Sequence, residues 1–169
     1  MFATGERAGH AQGGARPALM RRLSFETRVG RLTVSEEEGR IVALDWGGRA
    51  MGKPTPLLLE AKRQILEYLA GRRRSFDLPL APGGTATELR VWQLMAEIPF
   101  GQTRTYGDLG RALALAPRAV GQACGRNPLP ILIPCHRVVG SHGALGGYSG
   151  GEGAETKRRL LQLEHSLLL

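Results

Sequence analysis

From Leu23 to Trp46 the chain alternates apolar and polar positions in short runs separated by turn residues: Leu23 to Thr27, Gly30 to Val34, and Ile41 to Trp46. Period-two alternation with Gly between runs predicts an antiparallel meander of three strands. The period then changes. Over residues 55–71, Leu58, Ile65 and Leu69 share one helical face, Pro56 falls in the first turn and Gly71 follows as a stop, which predicts a helix. Strands followed by a helix make a small α+β unit, and the Pro- and Gly-rich stretch Pro79 to Thr85 predicts a linker after it.

Beyond the linker the pattern is helical. Thr87 to Ile98 places Leu89, Trp92, Leu94 and Met95 at helical spacing, with Thr85 or Thr87 as cap and Trp92 as a core residue. Thr105 to Leu115 reads as another helix, and Pro117 opens the next at its first position. Two short helices joined this tightly predict a helix-turn-helix. The expected fold is therefore α+β, with a tail over residues 1–21, a strand-rich N-terminal unit with its linker over 22–83, and a mainly helical C-terminal unit over 84–169.

The helix after Pro117 is chemically unusual. Ala119, Gly121, Ala123 and Gly125 leave much of its surface without bulky side chains, and Arg118 stands in its first turn, where the helix dipole disfavours a cation. A glycine inside a helix costs roughly 1 kcal/mol against alanine. A DNA-facing surface explains both costs; a tight helix–helix contact with Arg118 in solvent explains the small residues equally well.

Composition narrows the partners. The 169 residues carry a net charge of +8, which favours a polyanion: DNA, RNA or an anionic membrane surface. No apolar run approaches the roughly 20 residues needed to cross a bilayer. Residues 1–17 are rich in Gly and Ala and lack the apolar segment of a secretory signal, so a disordered tail is expected, with Met20 as an alternative start. Two cysteines, Cys124 and Cys135, make neither a disulfide framework nor a zinc site, and suit a reducing cytoplasm.

Candidate chemistry concentrates at residues 131–139, Ile-Leu-Ile-Pro-Cys-His-Arg-Val-Val, where a thiol adjoins an imidazole. Pro130 and Pro134 bracket Ile131 to Ile133, so the run is expected to be a short buried strand bent at Cys135. A free cysteine, with a pKa near ~8.5, becomes a good nucleophile only where its surroundings favour the thiolate. His136 is the candidate neighbour, but adjacent strand residues face opposite ways, so contact would need a turn or a bridging water. Cys135 as a small core residue with His136 bonded to backbone is the plain alternative. Arg72 to Arg74 is read as a solvated helix end rather than a phosphate site.

Taken together, Arg118-Ala-Val-Gly-Gln-Ala123, Asn127-Pro-Leu-Pro130, Ile131 to Val138 and Tyr148-Ser-Gly-Gly151 resemble the O6-alkylguanine-DNA alkyltransferase family over about residues 84–164. The resemblance implies a repair protein that flips an alkylated guanine, with O4-alkylthymine as a second candidate, out of double-stranded DNA and moves the alkyl group irreversibly onto its own cysteine. It implies Cys135 as acceptor, His136 as base acting through a water, Glu164 orienting His136, and Tyr106 hydrogen-bonded to the leaving purine. It further implies Arg118 entering the base stack, Ala119 and Gly121 on the DNA-facing helix, and Asn127 bracing the turn before the cysteine. Val138 and Ser149 would hold the guanine edge and Tyr148 would line the pocket, with the glycines at 146, 147, 150 and 151 letting the loop close. No cofactor and no metal are implied, and the expected protein is a cytoplasmic monomer that acts once, without a separate zinc-cysteine domain and without membrane association.

Three local features differ from the family pattern. Thr87-Glu88 stands where Phe-Gln is common, the Tyr106 to Arg118 interval is about two residues shorter, and Gly151 to Lys157 is longer. Other classes compete: a lesion-binding protein, which would lack the acceptor cysteine; a transcription regulator, which leaves the Pro-Cys-His-Arg run without a role; and a turnover cysteine hydrolase, which leaves the Arg118 helix without one.

Overall fold

The computed structural model describes residue 2 and residues 20–165. The expected tail therefore lies almost entirely outside the described residues, and at its inner edge Arg21 already belongs to the first strand. Three antiparallel strands, β1 (Arg21–Thr27), β2 (Gly30–Glu37) and β3 (Arg40–Trp46), form a sheet in sequence order. Phe25 pairs with Leu32, and Val34 with Leu44, so one face gathers buried Phe25, Leu32, Val34 and Leu44.

Helix α1 (Pro56–Leu69) covers that sheet. Thr55 caps it by accepting from the Leu58 amide, and Leu58, Ala61, Ile65, Tyr68 and Leu69 make its buried stripe. The basic run after it behaves as a helix end: Arg73 pairs with Glu67 at 3.0 Å, and Arg74 stacks over Phe100 at 5.2 Å.

Helix α2 (Ala86–Ala96) begins with a capping box between Thr85 and Glu88. Glu88, at a position where the family pattern often has Gln, thus closes the helix start. Trp92 is buried and its indole N–H donates to the Ala123 carbonyl at 2.8 Å, locking α2 to the later helices.

After a two-residue strand β4 (Arg104–Thr105), α3 (Tyr106–Leu113) and α4 (Pro117–Gly125) are joined by three residues. The short turn is possible because Ala114 takes a left-handed conformation and Gly110 lets it approach: a Cβ at Gly110 would lie 2.5 Å from the Leu115 carbonyl oxygen. The buried face of α4 is Val120, Ala123 and Cys124.

The expected strand at 131–133 does not form. Ile131 has φ +71°, outside strand geometry and unusual for a β-branched residue, and backbone bonds from Leu132 to Pro130 and from Ile133 to Leu129 fold the run into consecutive turns. With prolines at both ends, its apolar residues are buried as a knot rather than as a strand. Cys135 then opens a single 3₁₀ turn, and the extended pair comes after it, as β5 (Val138–Val139), parallel to β4. Helix α5 (Ala154–Leu163) closes the fold. The longer segment before α5 is absorbed in turns at residues 151–153, so Glu164 still reaches the centre.

Candidate active site

Asn127 is the residue that shapes the approach to the cysteine. Its side-chain amide donates to the Ile133 carbonyl at 2.9 Å, and its oxygen accepts from the Leu129 amide at 2.9 Å. The Cys135 amide donates to the same Ile133 carbonyl at 2.8 Å. One asparagine therefore gives the Leu129 amide its partner and the Ile133 carbonyl a second donor beside the Cys135 amide.

The thiol of Cys135 is buried, and burial pushes its pKa up; a hydrogen bond with Asn127 and the positive charge of Lys157 act against that rise. His136 follows on the same 3₁₀ turn and is wholly buried. Its Nε2 lies 2.7 Å from Oε2 of Glu164, and Nδ1 has no hydrogen-bond partner among the described residues. An imidazole that donates from Nε2 keeps its lone pair on Nδ1, so the free nitrogen is the basic one. Burial lowers the His136 pKa although Glu164 pulls the other way, which keeps the ring neutral and able to take a proton.

Glu164 is the hub. Besides His136 it accepts from Arg137 at 2.8 and 3.0 Å and from the Tyr68 hydroxyl at 2.5 Å. Burial alone would raise its pKa, but these donors hold it down at about 2. The third Arg137 nitrogen donates to the Ile98 carbonyl at 2.7 Å. A buried carboxylate and guanidinium are tolerated here because the charges face each other and the polar atoms have partners.

Tyr106, Arg118, Gly121, Cys124, Cys135, Tyr148 and Ser149 line one cavity of about 540 Å³, together with Gln122, Gly125 and Gly147. Tyr106, first residue of α3, has its hydroxyl pushed up to about 12, chiefly by burial, so it remains a proton donor at neutral pH. Arg118 is exposed in the first turn of α4, and Ala119 is half-buried beside it. A Cβ at Gly121 would meet the Tyr106 ring only at ordinary contact distance, and one at Gly125 would meet nothing. Gly121 thus faces the cavity and the Tyr106 ring at the start of α3, and Gly125 faces the cavity with no atom in the way of a side chain. Val138 is buried outside the cavity, and its carbonyl accepts from Lys157.

Tyr68, Arg137 and Lys157 escape sequence reasoning. Lys157 is entirely buried; its ammonium donates to the Val138 carbonyl at 2.6 Å and the Gly147 carbonyl at 3.2 Å, and lies 3.4 Å from the Tyr106 hydroxyl. It ties β5, the cavity loop and α3 together, and burial lowers its pKa. A signal for it existed: Lys157, Leu160, Leu161 and Glu164 occupy one helical stripe, two of its four places charged. Among the described residues no group of three or more His, Cys, Asp or Glu is placed to hold a metal. No helix there is long and apolar enough to cross a membrane.

Two thiols, Cys124 and Cys135, line the cavity, and the second is followed by a neutral imidazole held by a buried carboxylate; the arrangement defines a class of site that can support a cysteine nucleophile. Comparison with known proteins is specific. The family model described as the 6-O-methylguanine DNA methyltransferase DNA-binding domain matches residues 86–166, and that described as the ribonuclease-like domain of the same family matches residues 20–82. The chain belongs to the 6-O-methylguanine DNA methyltransferase family.

The constitutive methylated-DNA–protein-cysteine methyltransferase of Bacillus subtilis is 45% identical over 152 residues, covering 82% of this chain and 92% of the relative. The O6-methylguanine methyltransferase of Mycobacterium tuberculosis superposes with a TM-score of 0.77 at 35% identity, over 88% of this chain and 94% of that one. The crystal structure of M. tuberculosis OGT in complex with DNA gives a TM-score of 0.76 at 38% identity, covering 85% and 91%.

Proposed function

We propose that this protein repairs O6-alkylguanine, and O4-alkylthymine as a second substrate, in double-stranded DNA by taking the alkyl group onto Sγ of Cys135 in one irreversible step. The observation that carries the reading is Cys135 in the lining of the cavity, followed directly by an imidazole fixed by Glu164. A relative of this fold in complex with DNA supports DNA as the partner.

His136 takes the thiol proton at Nδ1 through a water, and the imidazolium so formed is stabilised by Glu164. The thiolate attacks the alkyl carbon, the bond from that carbon to O6 breaks, and its electron pair passes into the purine. Tyr106 donates a hydrogen bond, then a proton, to the leaving base, and the thiol proton replaces it through the site. The thioether formed has no acidic hydrogen and is a poor leaving group, so one protein repairs one base.

The base must leave the stack for its alkyl carbon to reach a buried sulfur, at a cost of a few kcal/mol. Arg118 fills the space left behind, on a helix whose small residues Ala119 and Gly121 allow close approach to the minor groove. In this reading α3 and α4 form the helix-turn-helix, Asn127 braces the acceptor turn, Ser149 presents backbone groups to the base edge, and Tyr148 packs on the alkyl group; Val138, expected to share the base edge, instead lies outside the cavity with its carbonyl held by Lys157 and its amide by the Cys135 carbonyl. Minor-groove edges discriminate base pairs poorly, which suits repair in any sequence context. The protein acts as a cytoplasmic monomer without cofactor, and its N-terminal and C-terminal units divide near residue 84.

The test is intact mass after incubation with a duplex carrying one O6-methylguanine, followed by peptide mapping. The expected result is one methyl group per protein, on Cys135, with Cys135→Ser binding the duplex but gaining no mass. Lesion-selective binding without mass gain by the wild type would replace this reading with that of a recognition protein.

A further inference from the structure

Trp46 belongs to the N-terminal sheet, yet its indole lies against the loop that closes the cavity. The ring meets Tyr148 edge-on, with centroids 6.0 Å apart and planes at 84°. A Cβ at Gly150 would overlap the indole, lying 2.7 Å from Cε3 and 2.9 Å from Cη2, and a Cβ at Gly151 would be 3.0 Å from Nε1. At Gly150, one of the glycines expected from sequence to serve loop closure, the absence of a side chain is thus required by the space the indole occupies, while at Gly151 the nearest atom is Thr156 Oγ1 at 2.5 Å.

The indole cannot easily yield. Nε1–H donates to the Val29 carbonyl at 2.9 Å, the strand is held in register with Leu32 of β2, and the next residue is pinned by a bond from the Gly47 amide to the Arg31 carbonyl at 2.8 Å. Tyr148, by contrast, is held only by packing: its buried hydroxyl has no hydrogen-bond partner among the described residues. Since Tyr148 and Ser149 form one wall of the cavity, the position of that wall is set from behind by Trp46.

We propose that Trp46 is a positioning residue for alkyl transfer, fixing the depth of the cavity at Tyr148 and hence the size of the alkyl group that can be presented to Cys135. The inference rests on Cys135 being the alkyl acceptor. It gives the N-terminal unit a part in substrate selection although that unit supplies no residue to the cavity lining.

Single-turnover rates on duplexes carrying O6-methylguanine or O6-benzylguanine, read as mass gain, test it in the wild type, Trp46→Ala, Trp46→Phe, Gly150→Ala and Trp46→Ala/Gly150→Ala. Removing the indole lets Tyr148 retreat: Trp46→Ala should slow methyl transfer by roughly ten-fold through loss of alignment, and benzyl transfer much less, so the benzyl-to-methyl ratio rises about five-fold. Trp46→Phe, which keeps a ring behind Tyr148, should restore most of the wild-type ratio. Gly150→Ala should be slow on both substrates, and the double variant faster than Gly150→Ala alone, because the added methyl then occupies vacated space. That rescue separates positioning from a general loss of folding.

A ratio within two-fold of wild type in a folded Trp46→Ala, or a double variant no faster than Gly150→Ala, would overturn the inference while wild-type transfer leaves Cys135 as acceptor. Absence of transfer by the wild type would overturn both.

Discussion

Replacing Glu164 by Gln keeps the side chain's shape and removes the charge on which His136, Arg137 and Tyr68 converge. The cost can be sized in two ways. A carboxyl that ionises near 2 in the fold and near 4.5 in the open chain contributes about 3 kcal/mol at neutral pH. Removing one partner of a buried ion pair costs about 3–5 kcal/mol because the other charge, here Arg137, is left uncompensated. For a chain of this length that corresponds to a fall in Tm on the order of 10 °C.

The pH dependence follows the same logic. The folded pKa of Glu164 lies below its unfolded value, so its stabilisation is fully present above about pH 4.5 and is lost as pH falls towards 2. His136, whose folded pKa is also depressed, adds destabilisation as pH falls below about 6.5. Thermal melts from pH 7 to pH 3 should show the wild type losing stability steeply below 4.5, and Glu164→Gln starting lower but falling less steeply there. Methyl transfer at pH 7 should slow by about 10²-fold or more, since an unoriented His136 is a poor base. A Tm within about 2 °C of wild type, with parallel acid limbs, would refute the assignment of Glu164 as the electrostatic hub.

Two further outcomes are expected. Arg118→Ala should slow repair of duplex substrate at least ~10-fold while leaving reaction with free O6-benzylguanine within about two-fold, because only the duplex must be unstacked; equal losses on both would remove Arg118 from base flipping. Lys157→Met keeps the buried stem but deletes the charge that favours the Cys135 thiolate, so the rise of transfer rate with pH should move to higher pH, with DNA affinity little changed; an unchanged pH profile would show that Lys157 only ties the loop together.

Much of the fold was legible because its elements follow local periodicity. The three strands, α1, the capped α2 and the Pro117 start of α4 all occur where alternation, helical spacing and turn residues place them. The run at Ile131 to Ile133 misled because an apolar triplet is equally at home in a strand or in buried turns. What decides between them is the left-handed Ile131 and the Asn127 side chain, which takes over the backbone pairing a strand partner would have supplied. Gly150 shows a second role that sequence does not reveal: glycine reads as flexibility in a sequence, and here it also makes room for an indole from another part of the chain.

The sequence by itself determined the chemistry at hand: a cysteine next to a histidine, an arginine at the start of a helix of small residues, and a family pattern strong enough to suggest each role. Local order along the chain suffices for such features because they lie within a few residues of one another. Only the tertiary structure decided what surrounds them. Tyr68 from the N-terminal helix reaches Glu164, Lys157 is drawn into the interior to bind three oxygens, and Trp46 stands behind the cavity wall. Burial and charge pairing depend on which distant segments meet, so the protonation of His136, Glu164 and Cys135 was set by packing and not by the order of residues around them.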